Sequence, residues 1–247
     1  MQKERNRTGK NMEEKKAGTN FAFPFPGREL AEKELSYDPC YARIPAQDRT
    51  EIVNRAWNKG EEAARAIFRE ENGCGDFFAI CRKNGLAVKE RAVDYVVGGQ
   101  RYFSDYVSGR STITLYTKSV QLWAAQNHLE QRDAENLILS HEYYHFLEVK
   151  RIGLTSRIYQ VPMLTIGPLK IGRTGIRALS EIGAHAFART YAQALQESTE
   201  QGSLLRLIWS DARIANSDNF LFQLFPYKNP EILDETAMKQ LLLFQSS

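Results

Sequence analysis

The chain has 247 residues, of which 43% are hydrophobic and 26% are charged, proportions typical of a folded globular protein rather than a collagenous or disordered one. Its 33 basic side chains are dispersed among 30 acidic ones, giving a net charge of +3, so the sequence does not favour nucleic-acid binding. Three cysteines without a C-x-x-C pair predict neither a disulfide framework nor a thiolate zinc site.

The N-terminal segment is predicted to be a flexible leader over residues 1 to 20, because it has almost no large apolar side chains. It also lacks the apolar run of about 7 to 15 residues that a signal peptide needs, so we expect a cytoplasmic protein. No apolar stretch approaches the ~20 residues that cross a bilayer, and we expect no membrane association. The segment Phe21-Ala22-Phe23-Pro24-Phe25-Pro26 is predicted to dock on the domain, with a partner-binding motif as the alternative.

Secondary structure is predicted from residue 48 onward. Asp48 begins the first helix, with Glu51 completing a capping box, and apolar residues recur at helical spacing up to Gly73. Residues 86 to 116 have strand character, and Gly98-Gly99 predicts a turn between two of the strands. Further helices are predicted over 119 to 127, 133 to 151, 176 to 199 and 231 to 244, and residues 152 to 175 are predicted to form an extended hairpin or loop.

These elements predict the α+β fold class, a mainly helical single domain over residues 21 to 247 with a small antiparallel sheet packed on the helix over 133 to 151. We expect its core over 48 to 198 and a helical C-terminal extension over 199 to 247.

An H-E-x-x-H motif lies in the middle of the helix predicted over 133 to 151, at His141-Glu142-Tyr143-Tyr144-His145. Residues four apart in a helix lie one turn above each other, so the imidazoles of His141 and His145 can converge on one metal ion. Glu142 is displaced by one residue, which places its carboxylate beside the ion, where it can act as a general base on water. This spacing predicts a Zn²⁺ site with a separate catalytic carboxylate.

A tetrahedral catalytic zinc site needs a third protein ligand, and the helix predicted over 176 to 199 offers Glu181 and His185, one turn apart. With Glu181 on the metal, His185 can hydrogen-bond a ligating imidazole from outside. With His185 on the metal, the site has three histidines. We favour Glu181 as the ligand and keep His185 as its outer partner or the alternative ligand. The remaining histidine, His128, lies in a polar stretch and is predicted to be solvated.

The order of three elements in this chain is similar to the pattern of the ImmA/IrrE-type zinc metallopeptidases. These elements are a strand such as Ile113 to Tyr116, a helix with H-E-x-x-H, and a second helix reading E-x-x-A-x-x-F-A. The resemblance covers roughly residues 48 to 198 and rests on two short motifs. It implies His141, His145 and Glu181 as the zinc ligands of a gluzincin-like site and Glu142 as the catalytic acid and base.

Three features depart from that family pattern. His185 stands where the family usually has Asn or Asp, and Glu181 follows His145 by a long separation of 36 residues. Residues 190 to 195 replace the Leu-Leu-Met-Pro-like ending that is usual after the second helix. We therefore expect substrate recognition to differ from that of the family.

Other residues have simpler interpretations. Tyr143 and Tyr144 are predicted to pack in the core, because neighbours in a helix point to different sides. His141 and His145 can also be core histidines without metal, an interpretation that leaves Glu142 and the second motif unexplained. The three cysteines are predicted to be inert small apolar residues, namely Cys40, Cys74 and Cys81. Four residues are candidates to stabilise an oxyanion, namely Tyr159, Arg157, Arg173 and Arg177.

The sequence thus predicts a zinc-dependent metallopeptidase that hydrolyses peptide bonds of a protein or peptide substrate, and the family resemblance implies a regulatory protein as one such substrate. The alternative is a metal-binding regulatory or interaction module with a peptidase-like fold and little or no hydrolysis. A fourth metal position open to water distinguishes the enzyme from a structural site. A DNA-binding regulator is disfavoured, because no helix-turn-helix pattern is present.

Overall fold

The computed structural model describes residues 23–198. The predicted leader, the C-terminal extension over 199 to 247 with its helix over 231 to 244, and Phe21 and Ala22 lie outside the described residues. Within residues 23–198 the helices are α1 (Ala31–Ser36), α2 (Ala46–Glu70), α3 (Phe77–Lys83), α4 (Thr117–Gln126), α5 (Gln131–Leu147) and α6 (Arg177–Ser198). The strands are β1 (Ala87–Arg91), β2 (Tyr95–Val97), β3 (Gln100–Tyr102), β4 (Ser104–Val107), β5 (Thr112–Tyr116), β6 (Gln160–Val161), β7 (Leu164–Ile166), β8 (Leu169–Ile171) and β9 (Thr174–Gly175). The predicted α+β, mainly helical fold class is confirmed.

Helix α2 begins at Ala46, two residues before the predicted start at Asp48. Pro45 precedes it, and proline has a fixed φ and no N–H, so it initiates the helix without a side-chain cap. The predicted capping box is therefore wrong, and the Asp48 carboxylate instead accepts a hydrogen bond from the Tyr159 hydroxyl at 2.6 Å. The predicted apolar face of the helix is correct, because Val53, Ala56, Trp57, Ala64 and Ile67 are buried and Phe68 is partly buried.

The main sheet has the strand order β1-β5-β4, with β5 in the centre. The expected antiparallel pairing holds between β4 and β5, whereas β1 runs parallel to β5, because the segment between them, which contains β2, β3 and β4, brings the chain back to the same end of the sheet. A separate hairpin joins β2 to β3 through Gly98-Gly99, whose positive φ angles of 57° and 79° match the predicted turn.

The core lies around α5 and α6, which pack on each other and on α2. Helices α2 and α6 approach very closely at Gly60, where an added Cβ atom would collide with the carbonyl oxygen of Gly183. The side chains of Tyr143, Tyr144 and Phe187 are fully buried between these helices, as predicted for the two tyrosines. This packing fixes the position of α5 relative to α6, and these are the helices that carry the two sequence motifs.

Residues 152 to 175 form the predicted hairpin. After α5 the chain makes a π-helical turn over Glu148–Ile152, and then β6 pairs with β9 and β7 with β8. Leu164 lies opposite Ile171 and Ile166 opposite Leu169, so four apolar side chains share one face of this ribbon. That face is exposed to solvent.

Among the helices of residues 23–198, none is both long enough and apolar enough to span a lipid bilayer.

Candidate metal centre

The two histidines of the H-E-x-x-H motif lie one turn apart in α5, and their Nε2 atoms are 3.3 Å from each other. The helix is held in register by the buried residues around the motif, including Leu139, Tyr143 and Tyr144. The helical geometry that the spacing predicts is therefore present, and both imidazoles turn their Nε2 atoms to the same point.

Glu181 of α6 completes a compact group with these histidines. Its Oε2 atom lies 3.3 Å from His141 Nε2 and its Oε1 atom lies 3.7 Å from His145 Nε2. Two ligands that each lie about 2.0 to 2.1 Å from one tetrahedral ion are about 3.3 Å apart. The group formed by His141, His145 and Glu181 thus fits a metal ion, with all its ligand atoms within 4.8 Å of one another.

The charges in this group are strongly coupled. Burial alone would lower the pKa of His145, but the Glu181 and Glu148 carboxylates outweigh it and hold that pKa well above its ordinary value. Burial alone would raise the pKa of Glu181, but His145 and His141 outweigh it and hold that pKa well below its ordinary value. The Glu181 carboxylate is therefore ionised at neutral pH and ready to bind a cation.

Glu148 supports the centre from outside, a role that neither sequence motif predicts. Its Oε2 atom is 2.9 Å from His145 Nδ1, the nitrogen that faces away from the metal group. Its Oε1 atom accepts hydrogen bonds from the Thr155 N–H at 2.7 Å and the Ser180 hydroxyl at 2.8 Å. A carboxylate on the far nitrogen of a metal-ligating histidine fixes the ring and raises its basicity. The available signal was the spacing, because Glu148 follows His145 by three residues on one helix face.

Glu142 is half-buried and stands beside the metal group without belonging to it. The Ser104 hydroxyl of β4 donates a hydrogen bond to Glu142 Oε1 at 2.7 Å. This contact crosses from the sheet to the helix and orients the carboxylate. Ser104 had no motif that marked it in the sequence.

A cavity of about 630 Å³ opens onto the metal group and Glu142. Strand β4, helix α5 and the start of α6 contribute most of its walls, and Phe25 contributes another from the N-terminal segment. The lining residues are Phe25, Tyr102, Phe103, Ser104, Asp105, Tyr106, Ile138, His141, Glu142, His145, Ser156, Arg177, Ser180 and Glu181. The three candidate ligands, the candidate base and a space large enough for a peptide segment therefore share one site.

His185 is buried next to the site but is not part of the group of potential metal ligands within residues 23–198. Its ring centroid lies 5.2 Å from that of His141 and 5.7 Å from that of Phe25, which also stacks on Trp123. Phe23 and Phe25 are buried, so the predicted docking of this segment is confirmed for its described residues. His185 and Phe25 form an aromatic wall behind His141.

Of the four residues predicted to stabilise an oxyanion, Arg177 lines the cavity. The Tyr159 hydroxyl instead bonds to Asp48, and Arg157 and Arg173 are not among the lining residues. Tyr106 lines the cavity as well, although the sequence pattern predicts it only as part of a strand.

The remaining sequence predictions concern residues away from the centre. Cys40 and Cys81 are buried and Cys74 is half-buried, and all three are free. Burial raises the pKa of the Cys81 thiol to about 12, which agrees with an inert residue. His128 is exposed, as predicted.

Comparisons of this chain with protein-family models, with curated proteins and with solved structures give no match.

Proposed function

We propose that this protein is a zinc-dependent metallopeptidase that hydrolyses peptide bonds in a protein or peptide substrate. The observation that carries the proposal is the convergence of His141, His145 and Glu181 on one point, with Glu142 lining the same cavity. Three protein ligands leave one position of a tetrahedral ion for water or substrate, which is the arrangement of catalytic rather than structural zinc sites.

Two imidazoles and one carboxylate suit Zn²⁺, which when bound polarises a carbonyl group and lowers the pKa of water. Glu142 takes a proton from the attacking water as the new carbon–oxygen bond forms. It then passes that proton to the peptide nitrogen as the carbon–nitrogen bond breaks. The hydrogen bond from Ser104 holds one oxygen of the carboxylate in place during both transfers.

A peptide substrate is favoured by the position of β4. In the described sheet β4 pairs with β5 alone, so its second edge has backbone groups that an extended peptide can pair with. The same strand supplies Ser104 and Tyr106 to the cavity wall. A peptide added to this edge would therefore run along the candidate metal centre.

The resemblance to the ImmA/IrrE-type peptidases, which rests on the same two motifs, is consistent with this proposal, since it assigns the same residues to zinc binding and to acid–base catalysis. It also suggests a regulatory protein as a candidate substrate. The alternative, a metal-binding interaction module without hydrolysis, is less favoured because a cavity adjoins the metal group rather than a shell of further ligands.

The test is to exchange Glu142 for Gln and to measure both metal content and cleavage of a fluorescence-quenched peptide library. We expect about one Zn²⁺ per chain in the wild type and in Glu142→Gln, because the metal ligands are unchanged. We expect cleavage to fall by a factor of at least about 100 in Glu142→Gln, because the base is lost.

Glu135→Gln is the matched control, since it makes the same chemical change on the same helix. Glu135 lies outside the cavity and accepts a hydrogen bond from the Gln131 side chain. It should cleave at the wild-type rate. A Glu142→Gln protein that cleaves as well as the wild type, or a wild type that binds no metal, would overturn the proposal.

A further inference from the structure

Strand β4 presents one of its two faces to the metal-binding helix. Ser104 and Tyr106 are two residues apart, so their side chains lie on the same face. Their partners on β5 are Leu115 and Ile113, and both are fully buried. This face of the sheet therefore packs inward toward α5, where Ser104 reaches Glu142.

Tyr106 extends from this face to the cavity beside His145. Its ring contacts Phe146 edge-on at a centroid distance of 6.4 Å, and it lines the same cavity as Glu142 and His145. The ring is thus wedged between the sheet and α5, which limits how far its hydroxyl can move.

The hydroxyl of Tyr106 is buried and has no hydrogen-bond partner among the described residues. A buried donor left without a partner destabilises the folded state, so folded proteins rarely keep one without a reason. The hydroxyl belongs to a residue of the cavity wall, so a ligand that enters the cavity can supply the missing acceptor.

The protonation state of this hydroxyl suits a donor. Burial raises the pKa of Tyr106 above its ordinary value. The phenol therefore keeps its proton at neutral pH and can offer it to an oxygen atom without losing it.

We propose that the Tyr106 hydroxyl donates a hydrogen bond to the carbonyl oxygen of the scissile peptide as that oxygen becomes negatively charged in the transition state. This inference rests on the proposed peptidase function. The water oxygen bonds to the carbonyl carbon, the carbon–nitrogen bond breaks, and Glu142 carries the proton from the water to the nitrogen. Tyr106 transfers no proton and stabilises only the developing charge.

Arg177 is the rival for this role, because it also lines the cavity and carries a permanent positive charge. It is the first residue of α6, whereas Tyr106 lies on the strand that holds Glu142 in place. A guanidinium at the cavity edge suits a substrate carboxylate, which would affect binding more than turnover. The two roles differ in whether KM or kcat changes.

The experiment replaces Tyr106 with Phe, which removes only the hydroxyl, and measures kcat and KM on the best-cleaved library peptide. We expect kcat to fall by about 100-fold, with KM changed less than about 3-fold, because the lost bond forms in the transition state. Zinc content should remain at the wild-type value. Tyr95→Phe is the matched control on the outer hairpin, where the ring stacks on Tyr116 outside the cavity, and it should retain full activity.

A second measurement does not depend on turnover. A phosphinic analogue of the same peptide carries a tetrahedral anion in place of the scissile bond, and we expect Tyr106→Phe to weaken its binding by about 10- to 100-fold. The unmodified peptide, measured in the Glu142→Gln background, should bind equally well with and without the Tyr106 hydroxyl.

Wild-type kcat in Tyr106→Phe would overturn the inference while leaving the peptidase function intact. A large loss of kcat in Arg177→Met would then assign the role to Arg177. Failure of the wild type to cleave any peptide would instead reject the peptidase function, and the role of Tyr106 with it.

Discussion

At the residue scale, the carboxylate of Glu181 lies between the imidazoles of His141 and His145 and faces one nitrogen of each. This contact joins α5 to α6, and Glu181 follows His145 by 36 residues in the sequence. His185 lies one turn later on α6, yet it packs against the His141 ring from behind. The two candidates for a third ligand therefore occupy different positions around His141, and the geometry favours the carboxylate.

The consequence is a difference in metal binding between two single variants. Glu181→Ala should abolish stoichiometric zinc binding, because two imidazoles alone do not complete a tetrahedral site. His185→Ala should keep zinc with an affinity lower by about 10- to 100-fold, the usual effect of removing a group that supports a ligand.

Zinc competition titration against a chromophoric chelator measures both effects. The opposite pattern, with zinc lost in His185→Ala and retained in Glu181→Ala, would show that the site has three histidine ligands instead.

At the element scale, the approach of α2 to α6 depends on Gly60. An added Cβ atom at this position would collide with the Gly183 backbone carbonyl and would also meet the Ala186 side chain at 2.8 Å. Gly183 is constrained in turn, because a Cβ atom there would collide with the Tyr144 hydroxyl. Backbone atoms cannot move aside as a flexible side chain can, so the helices must separate to accommodate a methyl group.

Gly60→Ala should therefore lower the free energy of unfolding by about 2 to 3 kcal/mol, the usual effect of overpacking a core. It should also reduce zinc affinity, because α6 carries Glu181. Gly109→Ala is the matched control, since no atom lies within 4 Å of its Cβ position and its φ is not positive.

Urea unfolding monitored by circular dichroism measures both variants. Equal stability of Gly60→Ala and Gly109→Ala would show that α2 and α6 do not need this close contact.

At the scale of the whole molecule, several ionisable groups are buried in the core in their neutral form. Tyr143, Tyr144 and Tyr191 are almost completely inaccessible to solvent, and burial raises the pKa of each phenol above its ordinary value of 10.0. Burial likewise raises the pKa of the Cys81 thiol from 9.0 to about 12. The charged forms of these groups are unfavourable in the core, so deprotonation of any of them lowers the stability of the folded state.

The sign of the pH dependence follows from this difference. Above pH 9 the unfolded chain loses the Cys81 proton while the folded chain keeps it, so the folded state binds more protons and its stability falls as pH rises. The loss continues above pH 10 with the tyrosines and amounts to about 1 kcal/mol per pH unit for each group. Urea unfolding at pH 7, 9, 10 and 11 checks this expectation.

Comparing the wild type with Cys81→Ala isolates the contribution of the Cys81 thiol to the pH dependence, because the two proteins have all other titratable groups in common. This variant should lose less stability between pH 9 and pH 11 than the wild type. Parallel curves for the two proteins would contradict the assignment of a buried neutral thiol.

Much of the candidate site was predictable because helix geometry is local. Residues four apart face the same side of any α-helix, so the sequence itself brings His141 and His145 together and separates Glu142 from them. The same rule puts Glu181 and His185 on one face of α6. The α+β class was predictable for a similar reason. The spacing of apolar residues along a segment depends only on whether that segment is a helix or a strand.

Positions that depend on contacts between elements could not be predicted in this way. Pro45 displaces the start of α2 because its own backbone initiates the helix, while Asp48 is engaged by Tyr159 from a distant part of the chain. The parallel pairing of β1 with β5 depends on the path that the chain takes through β2, β3 and β4 between them. No local pattern distinguishes these outcomes from the predicted ones.

The sequence by itself determined the two helical motifs and the residue types that they offer to a metal ion. Only the tertiary structure decided that Glu181 rather than His185 faces both imidazoles, that Glu148 supports His145, and that β4 brings Ser104 and Tyr106 to the cavity. The reason is physical. A helix repeats every 3.6 residues wherever it occurs, whereas the rotation of α6 against α5 and the register of β4 on β5 are set by packing between segments far apart in the chain.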